Sequence, residues 1–459
     1  MAGIGFELKK LLKENRLFSI FQVYGYSALL SSGTWMISIF SVLFIGLIKT
    51  YQNKNLLEII QFQVSITYLL ALSLIFSSVF QLSFSRYIAD RIFNKKPEKI
   101  LPGFIGVILL SFSVGFVFIL VFSSIFLREA SAAFVVLFCG SFLSLSGMWT
   151  ANTLLLGIKK YKLIFSAYLF CYALIILLAF SVGNYKLEGL MFSFFCGNAA
   201  LFFWLSAIIV KNYGSREFID FDFILDKENR LKHDLVFGSL FYNLGVWADK
   251  GLFWFSQSTG YNVLSKLNAS VVYDLPIFLA YLSVIPGMAI FFYRLEADFA
   301  EKYELYYKAV REGGTLSEIK DYKEEMVDTA RIMIREIVVV QGIFDLLIYF
   351  YSPKLFEMLN MPKLYLPLFH IDLVSIQLQL GFMAMLSVLY YMDKRKEAMW
   401  VSLLFLISNF VFTWITINSL GPLFFGYGFG LSVFISFLVS IALLRRTFRK
   451  LEYETFMLR

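Results

Sequence analysis

Charge is scarce in this chain, and scarcest where a folded protein would need it to stay in water. Asp, Glu, Lys and Arg make up 16% of 459 residues, against 59% hydrophobic and 19% aromatic ones, and no charged residue occurs from Ala398 to Leu444. A soluble surface cannot be assembled from that composition. With a mean hydropathy of +0.71, it describes a polytopic integral membrane protein. Histidine is nearly absent, at two residues, and cysteine numbers three. Cys139, Cys171 and Cys196 lie within apolar runs at spacings unlike those of metal sites, so they read as packing residues. The sequence has no glycine-rich phosphate loop, no metal-spaced His/Cys set and no nucleophile–base pair. A catalytic constellation, a metal and a cofactor are therefore not expected. The first apolar run is of spanning length and lacks a small-residue cleavage pattern, so a cleaved signal peptide is not expected either.

Apolar runs are what the chain has in abundance. About 20 residues of helix cross a hydrocarbon core, and runs of that order cover 21–48, 62–85, 103–127, 131–157, 163–183, 188–210, 235–258, 268–293, 331–351, 367–391, 398–419 and 424–444. The last two are separated at Gly421-Pro422, a helix-breaking pair. The expected fold is all-α, with about twelve transmembrane helices in two six-helix bundles around a central cavity.

Basic residues cluster on one side of this scheme: Lys9, Lys10, Lys13 and Arg16; Arg86 to Lys99; Lys159 to Lys162; Lys211 to Lys232; Arg294 to Arg335; Lys394 to Lys396; and Arg445 to Arg459. The other side carries Lys49, Lys54, Arg128, Lys186, Lys266, Lys354 and Lys363. Lys and Arg in short loops stay cytoplasmic, which puts both termini there. The net charge of +8 follows from that asymmetry and from attraction to anionic lipids, so a nucleic-acid partner is not expected. The implied domains are an amphipathic interfacial helix over 1–19, bundles over 20–210 and 234–445, a cytoplasmic connection over 211–233, and a tail over 446–459. An insertion over 294–335, broken at Gly313-Gly314, reads as two amphipathic helices. These offer either a docking surface for a cytoplasmic partner or a solvated hairpin.

Spans one to six hold only uncharged polar groups in their interiors, such as Gln81, Asn152 and Asn198. The second bundle breaks that rule with Asp249, Lys250, Asp274, Asp345, His370 and Asp372, all placed toward its outer half by a rise of about 1.5 Å per residue. Intramembrane charges are costly and mark function or pairing. Asn243, Trp247, Lys250, Trp254 and Gln257 recur at steps of four and three, which puts amides, indoles and one cation on a single helix face. Such a face suits a wet passage for sugar, where rings stack on apolar sugar faces and amides meet hydroxyls. It also suits interfacial tryptophans beside a lysine that snorkels or pairs with an aspartate. Asp249 points about 100° from Lys250 and serves either a structural ion pair or a coupling ion. Asp274 stands ready to satisfy backbone groups freed near Pro276, Asp345 and Asp372 to hold the bundle together or be hydrated, and His370 to relay a proton or pack as a satisfied side chain.

Longer motifs carry a resemblance. The opening Met1-Ala2-Gly3-Ile4-Gly5-Phe6-Glu7-Leu8, Ser31-Ser32-Gly33-Thr34-Trp35, Arg86-Tyr87-Ile88-Ala89-Asp90-Arg91, Trp247-Ala248-Asp249-Lys250, the stretch Phe278 to Gly287, Arg311-Glu312-Gly313-Gly314 and His370-Ile371-Asp372 resemble the PelG family of Pel exopolysaccharide transporters, in order along the chain. Thr34 stands where the resemblance leads one to expect proline. The resemblance implies membership of the multidrug/oligosaccharidyl-lipid/polysaccharide exporter superfamily, with two lobes that alternate between inward- and outward-facing states. It implies an N-acetylhexosamine-rich polysaccharide substrate made by a PelF-like cytoplasmic glycosyltransferase. PelD-like and PelE-like membrane partners, cyclic di-GMP control and a bacterial cytoplasmic membrane location are likewise implied. Rival readings are a cation-coupled antiporter of lipid-linked oligosaccharides or small molecules, and a non-transporting scaffold for a glycosyltransferase.

Overall fold

The computed structural model describes residues 17–51, 56–157, 161–182, 186–225 and 232–457. Most of the amphipathic segment expected over 1–19 lies outside the described residues, as do 226–231 of the connection and the last two residues of the tail.

Each expected apolar run is helical over most of its length. The first bundle comprises α1 (Leu17–Tyr51), α2 (Leu56–Phe93), α3 (Ile100–Phe126), α4 (Ala132–Gly157), α5 (Tyr161–Ser181) and α6 (Lys186–Asn212). The seventh run is α7 (His233–Phe255). The eighth is broken into α8 (Val271–Ser283) and α9 (Ile285–Tyr293), which a π turn (Arg294–Phe299) joins to α10 (Ala300–Glu312). The bend at the break is 43°. There follow α11 (Leu316–Met358), α12 (Leu366–Tyr391), α13 (Arg395–Ile415) and α14 (Tyr427–Met457). Among the described residues eight helices are long and apolar enough to span a bilayer on their own, or nine with the bent pair taken as one. The protein is a multi-pass membrane protein.

Many of the hydroxyls do not interrupt these helices because the helix itself satisfies them. Ser65 donates to the Gln61 carbonyl at 2.6 Å, Ser146 to Phe142 at 2.8 Å, Ser193 to Gly189 at 2.8 Å and Ser402 to Ala398 at 2.9 Å. That four-residue back-bond lets a serine sit buried without leaving a polar group unpaired. Breaks occur where the backbone requires them. Gly421, at φ +84°, ends the π turn after α13 in a conformation that favours glycine, and Pro422 opens a short 3-10 turn. Gly313, at φ +73°, caps α10, and Thr315 opens α11 with a capping box closed by Glu318. α11 is 43 residues long, about 65 Å, so its charged first part projects beyond any hydrocarbon layer.

The chain forms two compact units. One holds residues 33–247 and 253–270, and the other residues 17–32, 248–252 and 271–457. The division thus falls inside α1, and α7 contributes to both units. In the first unit α4 packs against α2, α3 and α6 around buried rings that include Phe62, Phe84, Phe138, Phe142 and Phe194. An antiparallel hairpin of β1 (Tyr261–Leu264) and β2 (Leu267–Ala269) follows α7, where the sequence reading had only the junction of two spans. Its strands are too short for an alternating pattern to be visible, and external bonds hold them. Tyr68 donates to the Asn268 carbonyl at 2.9 Å, Gln61 to that of Val263 at 3.1 Å, and the Lys266 N–H to that of Phe126 at 3.0 Å. In the second unit α12 packs against α8, α11 and α14, and α13 pairs with α14.

Candidate functional site

The stripe on α7 is shorter than its spacing suggests. The helix ends at Phe255 and Ser256 is extended, so Gln257 leaves the helix face and sits exposed in a turn that Thr259 ties back to the Phe253 carbonyl at 2.8 Å. Asn243, half-buried, donates to the Ser239 carbonyl of its own helix at 3.0 Å. Trp254 is only 6% exposed and stacks on Tyr68, with ring centroids 4.6 Å apart. The Trp247 ring lies 6.1 Å from it and is partly exposed. Of the two indoles, Trp254 is a packing ring and Trp247 keeps free surface. Both belong with the first unit, whereas residues 248–252 belong with the second.

Asp249 and Lys250 are buried in that second unit. The Lys250 ammonium lies 3.0 Å from Asp249 Oδ2 and 3.2 Å from Oδ1. Two more groups donate to the same carboxylate: the Tyr273 hydroxyl from α8 at 2.6 Å and the Asn409 amide from α13 at 3.2 Å. Thr413 in turn donates to the Asn409 side-chain oxygen at 3.0 Å. The ammonium stands 5.2 Å from the centre of the Tyr281 ring and 5.1 Å from that of Phe429, so aromatic faces supply part of what water would otherwise give it. Tyr281 donates to Gln379 of α12 at 3.0 Å. One buried ion pair is thereby held by four helices besides its own. This is the arrangement a charge needs to persist in a dry interior.

Asp372, two turns from Gln379 on α12, is fully buried, and neither carboxylate oxygen has a hydrogen-bond partner among the described residues. It lies in the same unit as the ion pair, on the helix that supplies Gln379. The other intramembrane charges lie apart in separate networks. Asp345 Oδ1 accepts from Gln341 at 2.7 Å and from Ser283 at 3.1 Å. Gln341 also donates to the Ser283 carbonyl at 2.9 Å and accepts from the Gly287 N–H at 3.0 Å. It therefore repairs the backbone where α8 breaks from α9. The bend lies at Val284, before Pro286, and not at Pro276, so Asp274, half-buried in the first turn of α8, is not beside the freed groups. An acidic residue there complements the helix dipole. His370 Nε2 lies 2.8 Å from the Ser352 hydroxyl, and its ring lies 4.2 Å from that of Tyr349. It is a satisfied histidine within the packing of α11 and α12.

Sequence reasoning found the six charges and missed most of what holds them: Tyr273, Tyr281, Gln341, Gln379, Asn409 and Thr413. An amide in an apolar span is the signal that could have marked Gln341, Gln379 and Asn409, but it does not name their partners.

No curated protein matches the chain. Solved structures do, at low identity. A MATE protein in the bent conformation superposes with a TM-score of 0.67 at 12% identity, covering 94% of this chain and 96% of that one. An outward-facing multidrug resistance MATE family transporter of the MOP superfamily gives 0.63 at 12% identity, over 94% and 96%. A MOP superfamily transporter from Pyrococcus furiosus, described as having a binding pocket of reverse polarity, gives 0.63 at 13% identity, over 93% and 96%. These likenesses establish the two-lobed helical transporter fold. The PelG family, described as "Putative exopolysaccharide Exporter (EPS-E)", matches residues 1–456. The chain belongs to the PelG family.

Proposed function

We propose that this protein exports an N-acetylhexosamine-rich, Pel-like exopolysaccharide across the bacterial cytoplasmic membrane during biofilm matrix synthesis, with both termini cytoplasmic. One observation carries the reading: a match to an exporter family runs from residue 1 to residue 456 along a chain that has the fold of a whole transporter. The polymer would come from a PelF-like glycosyltransferase, with PelD-like and PelE-like membrane proteins as further partners and the hairpin of α10 and α11 as the docking element. Asn243, Trp247 and Gln257 would line the passage, Trp254 would brace Trp247, and the Asp249–Lys250 pair would keep α7 anchored among the second unit's helices. Chain elongation by the synthase or an ion gradient would supply the energy.

The test uses sealed inside-out vesicles that hold the protein with its glycosyltransferase. Nucleotide sugar is supplied outside and the polymer protected in the lumen is measured. Trp247→Ala is expected to lose most of the protected polymer while synthesis and complex assembly stay intact. Unprotected polymer from the wild type, in vesicles shown to be sealed, would replace export with the scaffold reading.

A second reading, cation-coupled antiport of lipid-linked oligosaccharide or small molecules, is favoured by Asp372, a buried carboxylate without a hydrogen-bond donor among the described residues, in the same unit as the ion pair. It predicts transport without any synthase and its loss in Asp372→Asn.

A further inference from the structure

The connection between the bundles reads in the sequence as a charged cytoplasmic loop, but its described part is a strap fastened to the first unit. After α6 ends at Asn212 the chain runs without regular structure to a single helical turn, Asp222–Leu225. Asp220 and Phe223 are its buried residues. The Asp220 N–H donates to the Pro102 carbonyl at 3.2 Å. Lys99 Nζ reaches Asp222 Oδ2 at 2.8 Å and Asp220 Oδ2 at 3.6 Å. Arg91 Nη2 lies 3.2 Å from Asp222 Oδ2, and its guanidinium sits over the Tyr87 ring at 4.7 Å. Phe223 meets Tyr87 edge-on at 6.2 Å. The approach is so close that a Cβ added at Gly106 would overlap the Asp220 carbonyl oxygen.

Fastening one side decides what the other side must show. Phe218 is 75% exposed, and Ile219 and Phe221 are exposed as well. A loose loop would turn its phenyl groups inward, but here the inward side belongs to carboxylates held by Lys99 and Arg91. Exposed apolar groups also stand on both supports of the strap. Phe203 and Val210 stand exposed on α6, and Ile92 and Phe93 at the end of α2. Lys95, Lys96, Lys211 and Arg216 lie exposed nearby in sequence, along with Glu98 and Glu217. The strap begins one residue beyond a spanning helix and is fastened to the ends of two others, the level at which hydrocarbon gives way to headgroups.

We infer that residues 213–221 form a membrane-surface strap, with Phe218, Ile219 and Phe221 seated at the acyl–headgroup boundary of the bilayer around the first unit. The flanking basic side chains reach phospholipid phosphates while their stems stay on the apolar side. The partner is phospholipid, because the strap's exposed apolar groups follow directly on helices of spanning length that carry exposed apolar groups of their own, Val210 on α6 and Phe93 on α2, with exposed basic side chains between them.

A spin label on Phe218→Cys tests this in the full chain in phospholipid nanodiscs. Cys196 is replaced by serine, buried Cys139 and Cys171 are kept, and the same chain without the new cysteine serves as blank. Collision with oxygen, which partitions into lipid, is compared with collision with a water-soluble nickel chelate. Phe203→Cys on α6 is the lipid reference and Glu312→Cys at the α10 turn the aqueous one. The oxygen-to-nickel ratio at position 218 is expected to exceed that at 312 several-fold and to approach that at 203. A ratio equal to that at 312 puts the strap in water and overturns the inference, as does exclusion of both reagents, which marks burial by protein. Adding Asp222→Asn should lower the ratio at 218 and leave 203 unchanged. No change at 218 would overturn the claim that the fastening orients the phenyl groups.

Discussion

Adjacent residues of a helix point about 100° apart, so Asp249 and Lys250 meet only because the lysine stem curls back to its neighbour's carboxylate. The charges were legible in the sequence, since any ionised group in an apolar span stands out. Their partners were not: Tyr273 lies 24 residues away and Asn409 lies 160 away, and no local pattern connects such positions. Removing one partner of a buried pair strands the other charge. Lys250→Met should therefore destabilise the protein by about 3–5 kcal/mol, read by chemical or thermal unfolding of the purified protein. Asp249→Asn together with Lys250→Met should recover much of that loss, because the amide still accepts from Tyr273 and strands no charge. A double variant no more stable than Lys250→Met would mean that the lysine contributes through packing instead.

Elements were read well wherever hydropathy or a backbone breaker decided them. The end of α10 and that of the π turn after α13 are set by Gly313 and Gly421 as expected. The bend at Val284 and the hairpin over 261–269 escaped, because each depends on side chains of another element: Gln341 at the bend, Tyr68 and Gln61 at the hairpin. The strap adds an element-scale prediction with a definite sign. The bonded Lys99 ammonium holds the Asp222 carboxyl below the usual carboxylate range. Its stabilising contribution is thus complete above the unfolded value of about 3.9 and is lost as pH falls through the lower folded value. Burial pushes Asp220 the other way, so its cost applies at high pH and is relieved as pH falls through its raised value. Hydrogen exchange over 213–222 should stay slow from neutral pH to about 4 and quicken below. Asp222→Asn should speed it at every pH and abolish the acid step; an acid step that persists there would belong to another group.

For the molecule as a whole, orientation is the next quantity to fix. The orientation proposed from the asymmetry of basic loops would put the α10–α11 turn in the cytoplasm and the hairpin after α7 outside. In intact cells a membrane-impermeant maleimide should label Asn262→Cys and spare Glu312→Cys until the membrane is opened; the reverse pattern would invert the topology.

The medium, the order of the apolar runs and the family motifs were decided by residue order alone, because a bilayer requires each span to satisfy its own backbone within one continuous apolar run, and such runs are local. Which charges meet was decided only when the helices packed. Lys250 takes its surroundings from α8 and α14 as well as from its own helix, Asp372 is left without a donor among the described residues, and the outward face of the strap is set by salt bridges on its inward side. Those outcomes depend on distances between residues far apart in the chain, and periodicity within one element carries no information about them.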